Sequence, residues 1–321
     1  MEARERARRL ARSDKGVISL GLPTATEEVR MSSKKDATAK ITDHEAEQVK
    51  RANAAGRVPV VFVHGLWLLP SSWDRWAELF EKNGYTALTP GWPDDPDTVA
   101  EAKAHPEVFA NKSVGQVADH FEDVIRGLDK KPAIIGHSFG GLLTQKLVGM
   151  GLSVAAAPID PAPHKGVLPL PFSALKGSSA VLRNPLNYGR AVTLSFEQFQ
   201  YGFANAVPEA EARALYDTYH VACPGAPLFQ VATANFRPGG DTKVDLAQSE
   251  RGPMLFISGE KDHLVTWSMA NAAAKRWQKH SSVPTEITEL PNRGHSLILD
   301  NGWQEVADTI LDFLDRHGVK P

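Results

Sequence analysis

The stretch that decides the fold is residues 133–141, Ala-Ile-Ile-Gly-His-Ser-Phe-Gly-Gly. It begins as a short apolar run typical of a buried strand and ends in the pattern Gly-x-Ser-x-Gly, with Ser138 at its centre. Residues 142–150 follow with a pattern that predicts a helix. A serine on a sharp turn between strand and helix forms a nucleophile elbow, which requires small flanking residues. We therefore predict that Ser138 is a nucleophile and that Gly136 and Gly140 permit its tight turn.

Composition excludes several classes of protein. The chain has 321 residues and a formal net charge of -2, which gives no argument for binding nucleic acid or an anionic membrane surface. Its single cysteine, Cys223, cannot form an intramolecular disulfide, and we expect it to be buried and inert. No apolar run is long enough to span a bilayer. We therefore expect a cytoplasmic protein with no nucleic-acid partner and no stable membrane insertion.

The sequence predicts an N-terminal arm, an α/β core and a segment inserted into that core. Residues 1–41 read as a poorly ordered N-terminal arm, rich in arginine but without the apolar stretch of a secretory signal. Met31 is an alternative to Met1 as the start of translation. Residues 42–160 and 249–321 alternate apolar strands with amphipathic helices, which indicates an α/β fold with a mostly parallel, doubly wound sheet.

The helices and strands of the core can be assigned from the spacing of apolar residues and from the residues that are typical of helix and strand ends. A capping box at Thr42 predicts the start of the first helix. The spacing of Trp73 and Trp76 along the second helix predicts that both lie in the core. The predicted strands after the N-terminal helix are residues 58–63, 85–89, 153–159, 253–258 and 286–290, in addition to the elbow strand. The predicted helices are residues 42–55, 73–83, 114–128, 267–280 and 302–316.

Residues 161–248 interrupt this alternation. The segment contains many prolines and two helical patterns, at residues 196–206 and 208–220. It is too long to be a loop of a compact core, so we predict an inserted, mainly helical cap. Its aromatic side chains are expected to form an apolar roof over the nucleophile, with Phe199 and Phe203 as candidate substrate contacts.

A serine nucleophile needs a base, and the base needs an acid that orients it. Asp262 ends the pattern Gly-Glu-Lys-Asp after a predicted strand, and His295 ends a Gly-His pair after the last strand. The carboxyl ends of parallel strands lie at one edge of a sheet, so we expect these side chains to meet Ser138 there. Asp160, which follows the strand after the elbow, is the alternative acid.

Together these patterns resemble the α/β-hydrolase superfamily, and within it the capped serine hydrolases of esterase and lipase type. The resemblance rests on Val-His-Gly at residues 63–65, Gly-His-Ser-Phe-Gly at residues 136–140, and the patterns that end at Asp262 and His295. It extends from residue 58 to the C-terminus outside the cap. One departure lies at the start, where a helix replaces the two antiparallel strands with which the family commonly begins.

The resemblance implies a Ser-His-Asp triad and an oxyanion hole made of two backbone N–H groups. One belongs to Phe139, directly after the nucleophile, and the other to Leu66, with Trp67 as the second choice. Trp67 and His137 are also candidate walls of the substrate pocket. His64 is expected to shape the oxyanion loop rather than to react. The mechanism requires no metal and no organic cofactor.

The predicted function is that of a serine hydrolase of carboxylesterase type, acting on a small to medium apolar carbonyl substrate through an acyl-enzyme. Alternatives with the same triad are cleavage of a C–C bond, lactone, thioester or amide, and a haloperoxidase-like reaction. A ligand-binding protein that kept the fold without turnover is a third possibility. With His295 as general base, activity is expected to rise with pH as this side chain loses its proton.

Overall fold

A parallel sheet forms the centre of the computed structural model, which describes residues 41–168, 171–236 and 238–321. The predicted N-terminal arm, apart from its last residue, lies outside the described residues. The strands are β1 (Pro59–Val63), β2 (Thr86–Leu88), β3 (Ala133–His137), β4 (Ala155–Ile159), β5 (Ala191–Val192), β6 (Cys223–Pro224), β7 (Met254–Gly259) and β8 (Thr285–Leu290). Six of them form one sheet in the order β2-β1-β3-β4-β7-β8, and every neighbouring pair in it is parallel.

Helices connect successive strands. They are α1 (Asp43–Ala55), α2 (Asp74–Lys82), α3 (Val99–Ala104), α4 (Val114–Arg126), α5 (Phe139–Gly149), α6 (Phe172–Gly177), α7 (Ser179–Leu182), α8 (Phe196–Gly202), α9 (Glu209–Tyr219), α10 (Ala226–Thr233), α11 (Trp267–His280) and α12 (Trp303–Arg316). Short 3-10 turns span Pro70–Trp73, Pro106–Phe109, Pro185–Gly189 and Ala234–Phe236. No helix among the described ranges is long and apolar enough to cross a bilayer.

The central strands are mostly apolar and do not alternate between buried and exposed residues. Every residue of β1, β3, β4 and β7 is buried, as expected of parallel strands that helices cover on both faces. The prediction of a doubly wound α/β fold is therefore confirmed. Where related folds begin with antiparallel strands, the described chain begins with α1, whose N-cap Thr42 forms the predicted capping box with Glu45.

An aromatic cluster holds α2 against the sheet. Trp73, Trp76 and Phe80 are fully buried, and their rings pack around Phe62 of β1 with centroid separations of 5.1 to 6.3 Å. The Trp76 indole N–H donates to the Ile298 carbonyl at 2.9 Å, which ties α2 to the loop after β8. Both tryptophans are core residues, as their helical spacing predicts.

Residues 161–248, which we call the inserted segment, lie between β4 and β7 in sequence. They form α6 to α10 and the antiparallel pair β5–β6. The two predicted helices are present but shorter, as α8 and α9. The sequence did not predict α6, α7 or α10, because they span only six, four and eight residues and short helices give a weak periodic pattern. Cys223 is buried in β6, as expected, and burial raises its pKa.

Candidate active site

Ser138 occupies a strained turn between β3 and α5. Its φ of 58° and ψ of -119° lie in a region that residues with a side chain rarely adopt, and such strain concentrates at functional sites. Helix α5 begins directly at Phe139, three residues earlier than predicted. A Cβ added at Gly140 would overlap the Val63 carbonyl oxygen, so the turn requires glycine there. The backbone thus presents Ser138 at the carboxyl edge of the sheet.

His295 and Asp262 form a buried pair at the same edge. His295 Nδ1 lies 2.6 Å from Asp262 Oδ2, and both side chains are fully buried. The other carboxylate oxygen, Oδ1, accepts hydrogen bonds from the backbone N–H groups of Leu264 and Val265 at 2.6 and 2.9 Å. The carboxylate therefore has three nitrogen partners, which hold it in place and leave His295 Nδ1 as the protonated ring nitrogen.

The other ring nitrogen of His295, Nε2, can accept a hydrogen bond. His295 Nε2 is buried and makes no hydrogen bond within the described part of the chain. The His295 ring packs against the ring of His137 with centroids 4.5 Å apart, and its backbone carbonyl lies 2.9 Å from His137 Nε2. Because His137 directly precedes Ser138, these contacts join His295 to the elbow.

Asp160, the alternative acid, lies behind this pair. It follows β4 with a φ of 39°, it is fully buried, and its Oδ1 accepts a hydrogen bond from the Gly259 N–H at 2.8 Å. Burial, followed by the nearby negative charge of Asp262, raises the pKa of Asp160 well above its ordinary value. Asp160 is therefore a neutral acid beside a carboxylate, and the geometry favours Asp262 as the partner of His295.

The raised pKa of Asp160 predicts how the free energy of unfolding depends on pH. Above the pH at which an unfolded aspartate ionises, folded Asp160 keeps its proton and the unfolded chain does not, so the free energy of unfolding falls as pH rises. Asp160→Asn removes this titration. The stability of the variant relative to the parent should therefore increase as the pH rises above the pKa of an unfolded aspartate, by up to about 1.4 kcal/mol per pH unit.

Urea unfolding at several pH values would measure this difference. Asp308→Asn, at an exposed position on α12, is the matched control and should follow the pH profile of the parent. Parallel profiles for parent and Asp160→Asn would show that Asp160 ionises normally in the folded protein.

One group of side chains could hold a metal ion. His137, Asp160 and His295 are buried and place possible ligand atoms within 4.8 Å of one another. Burial lowers the pKa of His137 well below its ordinary value, which leaves the neutral imidazole that metals bind. A cation there would compete with the hydrogen bonds of the His295–Asp262 pair. We interpret the group as the rear wall of the site, which positions His295.

The loop after β1 lies against the elbow. Gly65 is so close that an added Cβ would be 2.9 Å from Ser138 Cβ and from the His137 carbonyl oxygen. Leu66 follows in this loop and is buried. Phe139 is the first residue of α5, where a backbone N–H has no acceptor within its own helix. The two predicted N–H donors thus belong to adjoining backbone segments beside Ser138.

Trp67, the next residue of that loop, connects the core to the inserted segment. Its φ is 64°, a left-handed conformation that is uncommon for a bulky residue. Its indole N–H donates to the Val192 carbonyl at 3.1 Å, and its own carbonyl accepts from the Val221 N–H at 3.1 Å. Val192 is part of β5 and Val221 precedes β6 by two residues, so Trp67 fixes the β5–β6 pair next to the site.

Ser138 lines a cavity beside the elbow. The lining is mostly aliphatic, with two serine side chains and no charged one among the described residues. It consists of Trp67, Ser138, Phe139, Ala162, Pro163, Ala174, Leu175, Ser178, Leu182, Leu228, Val231, Ala232, Leu264, Val265 and Met269. The cavity is therefore suited to an uncharged, apolar group next to the serine.

The expected aromatic roof is not what lines this cavity. Trp67 is a wall residue, as predicted, but His137, Phe199 and Phe203 are not among the lining residues. Phe199 and Phe203 stack on each other at 5.1 Å, and the edge of Phe203 meets the His295 ring at 4.7 Å. These rings pack behind the base because α8 turns its aromatic face toward it, while α6, α7 and α10 supply the walls.

Two further histidines have structural contacts. His64 Nε2 lies 2.9 Å from Asp95 Oδ2, and its ring stacks on Trp92 with centroids 5.7 Å apart, in line with its expected role in shaping the loop. His263, beside Asp262, places Nδ1 2.9 Å from the Tyr201 carbonyl oxygen. Both imidazoles are therefore held by neighbours outside the Ser138 cavity.

Comparison with known proteins agrees with this architecture. A model described as the Alpha/beta hydrolase family matches residues 60–309. No curated protein sequence matches the chain.

Solved structures resemble the chain over most of its length. A monoacylglycerol lipase of Paleococcus ferrophilus is 19% identical, with a TM-score of 0.55 and coverage of 81% of this chain and 94% of that one. An extracellular alpha/beta-hydrolase of a Paenibacillus species is 19% identical, with a TM-score of 0.59 and coverage of 79% and 98%. A methylesterase of Arabidopsis is 14% identical, with a TM-score of 0.56 and coverage of 80% and 99%. At these identities the likeness establishes the fold.

Proposed function

Since this chain belongs to the alpha/beta hydrolase family, we propose that it is a serine hydrolase that cleaves carboxylic esters through Ser138, His295 and Asp262. The observation that carries the proposal is the buried His295–Asp262 pair, 2.6 Å apart, at the edge of the sheet where the strained elbow presents Ser138. A histidine oriented in this way by an acid is the base that a serine nucleophile requires.

The proposed reaction has two steps. In the first, His295 Nε2 takes the Ser138 proton while Ser138 Oγ attacks the ester carbonyl carbon, and the alcohol leaves with that proton. In the second, water attacks the acyl-enzyme with His295 again as base, which releases the acid and restores Ser138. Asp262 keeps the imidazole in the required tautomer and stabilises its charged form.

The negative charge on the tetrahedral intermediates needs hydrogen-bond donors. We assign the backbone N–H groups of Phe139 and Leu66 to this role, because their segments adjoin Ser138. A donor of this kind lowers the barrier by roughly 3–4 kcal/mol. Phe139 also lies at the N-terminus of α5, where the helix dipole favours negative charge.

The cavity supports an uncharged, apolar acyl or alcohol group as substrate. Its walls carry no charge that could pair with a buried ion, and burying an unpaired carboxylate costs several kcal/mol. The alternative of C–C bond cleavage in an aromatic-derived substrate depended on an aromatic roof over the site. The lining is mostly aliphatic instead, so this alternative has less support. Ester hydrolysis is therefore the function that the site supports best.

A matched pair of aryl esters tests this proposal. The p-nitrophenyl esters of butyric acid and of succinic acid have acyl chains of equal length, but the hemisuccinate carries a carboxylate. We expect hydrolysis of the butyrate, and a kcat/KM for the hemisuccinate that is lower by about 100-fold or more, since its charge would be buried without a partner. Comparable values would contradict the assigned cavity, and no turnover of any aryl ester would contradict the proposed function.

A further inference from the structure

Exposed apolar side chains are concentrated on one part of the molecule. Among the described residues, the large apolar side chains that solvent reaches most all belong to the inserted segment. They are Leu168, Phe172, Leu175, Leu186, Tyr188 and Phe236, which together we call the mouth surface. Phe172 and Phe236 are 80% and 85% exposed, although each would be more stable out of water. Apolar groups gathered in this way indicate an interaction surface.

The mouth surface is continuous with the catalytic cavity. Leu175 belongs to both, since it lines the cavity and is 48% exposed. Phe172 precedes it by three residues on α6, a spacing that puts both side chains on one face of the helix. The surface therefore adjoins the cavity that Ser138 lines.

The remaining side chains of the surface lie on elements near the same cavity. Asn235 accepts a hydrogen bond from the Gly166 N–H at 2.7 Å and donates to the Val167 carbonyl at 2.9 Å, which brings Phe236 beside Leu168. The Tyr188 ring contacts Phe229 of α10 with centroids 5.9 Å apart. Leu228 and Val231, on the cavity side of that helix, are wall residues.

The stretch that contains five of the six side chains of the mouth surface differs in charge from the whole chain. Residues 161–196 contain four lysines and arginines and no aspartate or glutamate, whereas the chain has a net charge of -2. The four are Lys165, Lys176, Arg183 and Arg190. Arg183 and Arg190 are exposed, and Lys176 lies over the Tyr201 ring at 4.0 Å. The net charge of the chain gave no argument for an anionic membrane surface, but this stretch is locally positive.

We propose that the mouth surface docks onto the interface of a membrane that contains anionic lipids. The aromatic and leucine side chains would enter the headgroup and acyl boundary, and Lys176, Arg183 and Arg190 would lie among the phosphates, the two contributions by which peripheral proteins bind membranes. This docking requires no helix that spans the bilayer. It rests on the proposed function in one respect only: an apolar ester dissolved in the lipid would reach Ser138 directly.

Charge argues against another occupant from the same chain. Residues 1–40 contain ten lysines and arginines and six aspartates and glutamates, so they carry the same sign of charge as the region around the mouth surface. A second copy of the chain would place one positive region against another if the contact were symmetric. An anionic lipid surface complements both the charge and the apolar groups.

Vesicle sedimentation tests the proposal without requiring catalysis. Full-length protein with Ser138→Ala is mixed with vesicles of phosphatidylcholine, with or without phosphatidylglycerol, so that a failure of binding is separate from a failure of ester hydrolysis. We expect binding to the mixed vesicles that is at least about tenfold stronger than binding to phosphatidylcholine alone and that weakens with added salt. No binding to either vesicle would overturn the proposal.

Surface variants separate the apolar and charged contributions. Phe172→Ser with Phe236→Ser should lower binding about tenfold or more, and Arg183→Glu with Arg190→Glu should lower it at least about fivefold for each removed cation. Lys82→Glu, an exposed substitution on α2, is the charge control and should bind like the parent. None of these side chains lines the cavity. When the same surface substitutions are made in protein that keeps Ser138, hydrolysis of a dissolved ester should therefore be unchanged.

Two results for these variants would overturn the proposal. If the phenylalanine variant binds vesicles like the parent, the mouth surface does not enter the lipid. If the parent forms a dimer that the phenylalanine substitutions abolish, and vesicles do not compete with that dimer, the occupant is a second copy of the chain. Analytical ultracentrifugation with and without vesicles distinguishes this case.

Discussion

Replacement of Ser138 by alanine should lower kcat for ester hydrolysis by about 10⁴-fold or more, with little change in thermal stability. Without Oγ no acyl-enzyme can form, and water would have to attack the substrate directly. A fluorophosphonate should label the parent at Ser138 and leave the variant unlabelled. The elbow thus makes the largest expected contribution to the reaction.

A second serine provides the matched control for this experiment. Ser178 also lines the cavity, but it follows α6 and is not on a strand-to-helix turn. Ser178→Ala should keep kcat within about threefold of the parent, because it removes a wall hydroxyl and no reacting group. If Ser178→Ala lost activity and labelling while Ser138→Ala kept both, the nucleophile would be Ser178 and the assignment to Ser138 would be wrong.

Substitution of the two acids should have very different effects. Asp262→Asn should lower kcat/KM by about 10⁴-fold, because an amide at this position can donate to His295 Nδ1 and favours the wrong tautomer. Asp160→Asn should lower kcat/KM by less than about tenfold, since asparagine replaces an acid that is already neutral and can still accept the hydrogen bond from Gly259.

Steady-state kinetics of both variants, together with their melting temperatures, would test this contrast. Both acids are buried carboxyl groups near His295, so a general effect of removing a buried carboxyl group would affect both variants. A loss of similar size in the two variants would indicate that the acids act as one unit. The opposite order would make Asp160 the orienting acid.

Much of the fold could be predicted because its signals are local. The uniform apolar runs of β1 and β3 indicate strands covered on both faces, and the helix predicted at residues 267–280 is α11 with the same bounds. The capping box at Thr42 is present as predicted. Patterns of this kind involve residues within a few positions of each other, and local backbone preference is enough to produce them.

The side chains whose place in the structure differs from the expected pocket lining depend on distant contacts. Phe199 and Phe203 have the composition of pocket residues, but α8 turns them against His295. The actual walls include short helices around Ala174 and Leu228 that have no strong signal of their own. Their position follows from packing against distant parts of the chain, which no local pattern expresses.

The sequence alone determined the order of the core strands and their main helices along the chain, the elbow at Ser138, and the placement of Asp262 and His295 after later strands. It could do so because parallel strands end at one edge of a sheet, whatever their connections. The tertiary structure decided which acid faces His295, which side chains wall the cavity, and which apolar groups stay in water. Those properties depend on burial and neighbouring charge, as the raised pKa of Asp160 shows, and both arise only when distant segments are packed together.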